Sequence, residues 1–253
     1  MFKKFTTKML GRLGAKNQNA KFVHLHIPKT AGSAVKASIA KADAADLFAS
    51  KKHHVAFEDL SQAELRQETF VTIRHPIPWY LSMYNFKMHS NSEKGYDKLP
   101  GSSFQDFIED VVLAQNGLDG VMKWNRPVEF KKHVVRMLEP YFETGAHKKI
   151  GFLTLNYLFY ATAGWRDVLK APDPVEMLLR ADTPIISSKH VLRQETLSVD
   201  FAKMVGGISA GINLEERVNE MTSNPYTDEL SPELIAEIEQ RDRFIISAFY
   251  GQA

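Results

Sequence analysis

The loop "HIPKTAGSA" places Lys29, Thr30, Gly32 and Ser33 between an apolar run and a segment of helical character. A strand that stops at a tight loop and restarts as a helix aims unpaired backbone N–H groups, and the positive end of the helix dipole, at one point. An anion fits there. Gly32 lets the backbone approach closely, Thr30 and Ser33 add hydroxyl donors, and Lys29 brings a mobile positive charge to the mouth. A nucleotide-binding loop of the ATP type reads G-x-x-x-x-G-K-[ST], whereas here Lys29 and Thr30 precede Gly32 and the loop has no upstream glycine. Taken alone, the segment reads equally well as a plain turn with an exposed lysine.

A second stretch, "FVTIRHPIPWYLSMYNF", puts Arg74 at the carboxyl end of an apolar strand and Ser82 in the helix that follows. Arginine offers forked donors that match a phosphate, and a serine hydroxyl can complete the same oxygen cage. Two phosphate subsites on neighbouring strands suit a ligand phosphorylated at two separate places. Without the first stretch, Arg74 would read as a salt-bridged sheet-edge residue and Ser82 as an ordinary helix residue. For proton transfer near neutral pH, "SKKHHVAFEDL" offers His53 and His54, for which a solvated loop is the alternative. His24 and His26 alternate along the first strand, so they share a face at the spacing of a metal pair, but no third ligand lies nearby. His26 is expected to pack beside the loop. Trp124, Trp165 and the aromatics of "NYLFYATAGW" are expected to fill a core, with sugar stacking as the other reading.

The elements that must position these residues follow from periodicity. Residues 22–27 and 70–73 read as strands, 47–50 as a weaker one, and 33–41 and 79–88 as helices; Ser61 and Glu64 have capping-box spacing. Such alternation predicts an α/β fold with a central parallel sheet and flanking crossover helices, its sites at the carboxyl ends of the strands. Residues 90–102 form a polar loop, long enough for a lid or substrate loop. Beyond it the chain turns helix-rich, at 104–114, 128–138, 152–162 and 175–181, before a strand at 190–193 and a helix at 198–205. The final helix opens at Ser231-Pro232, and its stripe of Leu234, Ile238, Ile245 and Phe249 predicts docking on the core.

Composition bounds the rest. The 253 residues, 44% of them hydrophobic, can bury a core without staples, and the absence of cysteine excludes thiolate catalysis, zinc–thiolate sites and disulfides. A net charge of +2 gives no general argument for a nucleic-acid partner. No apolar run approaches the ~18 residues of a membrane span. Residues 1–20 carry five basic residues among apolar ones at near-helical spacing. They read as a basic, solvated leader, with weak contact to an anionic membrane surface as the alternative. Residues 21–253 are expected to form a single domain.

Together the two stretches resemble the sulfotransferases that use 3′-phosphoadenosine 5′-phosphosulfate, in particular the family of heparan 2-O- and carbohydrate sulfotransferases. "HIPKTAGSA" is similar to the family's 5′-phosphosulfate loop and "IRHPIPWYLSMY" to its 3′-phosphate element, R-x-P-x-x-R-x-x-S-x-Y. Weaker similarity lies in "HVLRQETLSVDF", in "VNEMTSN" and in the final helix. The resemblance implies a P-loop-like sulfotransferase fold. Lys29, Thr30, Gly32, Ser33 and the backbone of Ala31 and Ala34 would hold the 5′-phosphosulfate, and Arg74 and Ser82 the 3′-phosphate. Lys29 would stabilise the leaving phosphate. A K-H-x-x-A pattern favours His53 as the base, with His54 one residue away in register. Trp79 departs from the family by standing where its second arginine is usual. The donor would be 3′-phosphoadenosine 5′-phosphosulfate, adenosine 3′,5′-bisphosphate the product, with no metal required. The acceptor would be a hydroxyl on a glycan or small molecule. With no membrane-spanning run, the chain departs from the family's secretory-pathway members and is expected to be a soluble, cytoplasmic enzyme. Two rivals share parts of this pattern: a nucleoside-triphosphate kinase, and a non-catalytic nucleotide- or glycan-binding relative.

Overall fold

A computed structural model describes residues 20–41, 45–50, 55–89, 103–124, 131–180, 187–206 and 230–251. His53 and His54, the leader before Ala20, the polar loop at 90–102 and the "VNEMTSN" stretch lie outside the described residues.

Four short strands, β1 (Phe22–Leu25), β2 (Phe48–Ser50), β3 (Glu68–Ile73) and β4 (His190–Arg193), form one sheet in the order β2-β1-β3-β4. Every pairing is parallel. Because parallel neighbours need crossovers, helices cover both faces and the strands read as nearly continuous apolar runs. Side chains alternate across the pleat. Phe22 and Phe70 therefore point to one face, where they meet Val35, Ile39, Phe201 and Met204, and Val23, Leu25, Val71 and Ile73 point to the other, larger core.

The first crossover is α1 (Gly32–Lys41), and a single turn, α2 (Gln62–Leu65), precedes β3. Ser61 and Glu64 close the expected capping box on that turn. After β3 comes α3 (Pro76–His89), which starts three residues earlier than periodicity predicts, with Pro76 opening its first turn, where a missing N–H does no harm. The excursion from β3 to β4 is helical: α4 (Phe104–Phe107), α5 (Gly117–Trp124), α6 (Lys131–Glu143), α7 (Phe152–Ala161), α8 (Trp165–Lys170) and α9 (Pro174–Leu179). The predicted helix at 104–114 changes into a π-helical turn at Ile108–Val112, and α5 and α8 went unpredicted. Trp124 and Trp165 are fully buried in the core.

The chain closes with α10 (Leu197–Val205), α11 (Pro232–Arg241) and α12 (Arg243–Ile245), then a π-helical turn at Ile246–Tyr250. Ser231 caps α11 through Leu234 N–H, and Ile238 and Ile245 are buried as the stripe requires. The buried carboxylate of Asp242 locks this end in place. Its Oδ1 accepts from Thr154 N–H and Oγ1–H at 2.8 and 2.7 Å, and its Oδ2 accepts from Tyr80 O–H at 2.9 Å. Asp242 thus supplies from outside the capping acceptor that α7 lacks at Gly151. A Cβ on Gly151 would lie 2.4 Å from Asp242 Oδ2, so only glycine lets the carboxylate approach.

Candidate functional site

The order β2-β1-β3-β4 reverses its direction of growth between β1 and β3, which opens a crevice at their carboxyl ends. Both sequence motifs emerge at that crevice, the loop at 26–31 from β1 and the Arg74–His75 turn from β3.

Lys29 and Ala31 both adopt left-handed backbone, with φ of 65° and 68°. Outside glycine each such residue costs about 1–3 kcal/mol, so neighbouring contacts must hold the loop in shape. Three do so. Thr30 Oγ1 donates to Ile27 O at 2.8 Å and lies 2.9 Å from Thr72 Oγ1 on β3. Trp79 Nε1 on α3 donates to Pro28 O at 2.8 Å. The His26 ring fills the space beside Gly32, where a Cβ would fall 2.0 Å from His26 Nδ1. Gly32 therefore admits a histidine against the loop, as well as opening its backbone.

The alternating left-handed residues turn successive backbone N–H groups of the loop toward the start of α1. Successive N–H groups of this kind form an anion-binding concavity at the start of a ten-residue helix. Two expected donors are engaged elsewhere. The Thr30 hydroxyl is fully buried and gives its proton to Ile27 O, and Ala34 N–H donates to Ala31 O at 2.9 Å. Their part is to shape the loop, while the exposed Ser33 hydroxyl remains at its rim.

Lys29 and Arg74 face one another electrostatically. Burial first, and the Arg74 charge second, lower the Lys29 pKa from 10.5 to about 8. Its ammonium sits 4.2 Å from the centre of the Phe86 ring on α3. Arg74 is itself lowered by burial, against the opposing pull of Glu195 and Tyr250. Among the described residues neither cation forms an ion pair. Ser82 lies three residues after Trp79 and four before Phe86, so all three share the face of α3 that meets the loop. His24 stacks on Phe70 inside the sheet, and no group of three metal-ligating side chains is found among the described residues.

No family model, curated protein or solved structure matches this chain. The site therefore stands on its own chemistry. Two half-buried cations converge with successive loop N–H groups, and among the described residues neither cation forms an ion pair, which suits a ligand bearing phosphate or sulfate groups. Sequence reasoning missed Trp79 as a tether and Phe86, Glu195 and Tyr250 as neighbours. The Trp79 indole N–H, buried next to a proline-rich turn, was the one available signal, because a buried indole needs an acceptor.

Proposed function

We propose that this protein transfers a sulfuryl group from 3′-phosphoadenosine 5′-phosphosulfate to a hydroxyl of a carbohydrate acceptor. One observation carries the reading: the loop and the Arg74 turn, each with the residue pattern of one phosphate subsite, meet in the β1/β3 crevice with their cations unpaired. A single phosphate would need only one of them.

Lys29 and the N–H groups of residues 29–33 would hold the 5′ end, and Arg74 with Ser82 the 3′-phosphate. The donor supplies an activated sulfur–oxygen bond. Lys29, as its ammonium, offsets the charge left on the departing phosphate oxygen, a charge that grows toward the transition state. His53 or His54 accepts the proton of the attacking hydroxyl; they follow β2, whose carboxyl end lies on the same edge of the sheet. Sulfuryl transfer, like phosphoryl transfer, asks the protein mainly for alignment and electrostatics.

Thermal unfolding with adenosine 3′,5′-bisphosphate, AMP or ATP with magnesium tests this. A ligand at 100 times its Kd adds about 2.7 kcal/mol of stability. Raised stability with the bisphosphate alone supports the proposal. Preference for ATP with magnesium overturns it in favour of a kinase.

A further inference from the structure

We infer that Glu195 and Tyr250 are positioning residues of the anion site, holding the Arg74–His75 turn to the C-terminal segment so that the guanidinium is presented beside Lys29. The inference rests on the anion site proposed above. Glu195 lies just past β4, on the same edge of the sheet as the Arg74 turn. Its Oε1 accepts from His75 N–H at 3.0 Å, and its Oε2 accepts from the Tyr250 hydroxyl at 2.8 Å. The Tyr250 ring also meets the His75 ring edge-on at 5.2 Å. One carboxylate thus joins the turn after β3, the turn after β4 and the last helical turn of the described chain.

The arrangement solves a local conflict. A carboxylate near a half-buried guanidinium would ordinarily pair with it directly and fill the place of a phosphate. Here both oxygens are occupied, by an N–H and an O–H, and Arg74 forms no ion pair among the described residues. Burial and the Glu195 charge hold the Tyr250 phenol far above its ordinary pKa, so it stays a donor at working pH. Glu195 therefore has two opposed effects on a bound anion: its tether fixes the turn, and its charge repels the ligand.

Those effects separate in three variants of the full chain, Glu195→Gln, Glu195→Ala and Tyr250→Phe, each checked for unchanged circular dichroism. Amide exchange across Arg74–His75 is read without ligand, and bisphosphate affinity by calorimetry. Glu195→Ala and Tyr250→Phe are expected to speed exchange and to weaken the bisphosphate, each by about tenfold. Glu195→Gln keeps an acceptor for His75 N–H, so exchange stays slow and affinity is equal or higher. Unchanged exchange in all three variants overturns the proposal, as does tighter binding in Glu195→Ala, which would make Glu195 only a nearby charge. A wild-type protein that ignores the bisphosphate would sink the sulfotransferase reading instead, and the exchange comparison alone would then decide this one.

Discussion

Lys29 is strongly perturbed, and the cause tells what it is for. An amine driven down to about 8 by burial and by Arg74 regains proton affinity when an anion enters between the two cations. Bisphosphate affinity should fall as pH rises past about 8, where Lys29 loses its charge, and should also weaken in acid as the ligand's own phosphates take up protons at about pH 6. Lys29→Arg should flatten the alkaline fall in a calorimetric pH series. Lys29→Ala should lower kcat by about 100-fold or more while weakening the product nucleotide much less, because only the transition state builds charge at that oxygen. Equal losses would make Lys29 a simple binding residue. Arg74→Ala should weaken the bisphosphate by roughly 10- to 100-fold, and unchanged affinity would remove Arg74 from the site. Lys29 and Arg74 could be read from the sequence as candidates only as a pair, since each stretch alone also has a plain structural reading. The burial of the Thr30 hydroxyl could not be read, since a threonine looks the same whether it faces a ligand or Ile27.

Between elements, α3 does the most to assemble the site. Trp79 reaches back to Pro28 O, Phe86 receives the Lys29 ammonium and Ser82 lies between them, so one helix face joins the two motifs. Trp79 is fully buried, so a charge in its place would lie away from water. Trp79→Arg should lower the melting temperature sharply without improving bisphosphate affinity, as an unpaired buried charge is heavily penalised. Trp79→Phe keeps most of the volume but leaves Pro28 O without its donor, at about 1 kcal/mol of stability and a measurable loss of affinity. Strands and crossover helices were readable here because their patterns are local. The single turn α2 was readable too, through its Ser61–Glu64 capping box, but the π-helical turn at Ile108–Val112 was not, because it depends on tertiary packing that no period of 3.6 encodes.

At the scale of the whole molecule, Asp242 ties α3, the helix that carries Trp79 and Phe86, to α7 in the helix-rich half. The alternation of apolar runs made the α/β class readable from sequence, but no local signal linked Asp242 to Thr154 and Tyr80, which lie far from it in the chain. Burial lifts the Asp242 carboxyl from 3.8 to about 6, the hydrogen bonds from Thr154 and Tyr80 pulling the other way. A raised folded-state pKa means that the folded protein holds this proton more tightly than the unfolded chain. The stabilisation is complete below about pH 4 and is lost as pH rises through about 6. Asp242→Asn has no proton to lose and keeps one acceptor for Thr154. Other carboxylates also change stability with acid, so the informative quantity is the difference in melting temperature between Asp242→Asn and wild type. That difference should move in favour of the variant between pH 4 and pH 7, then level off. A difference that stays flat across this range would mean that Asp242 is ionised throughout, held by its three hydrogen bonds against the burial that opposes its charge.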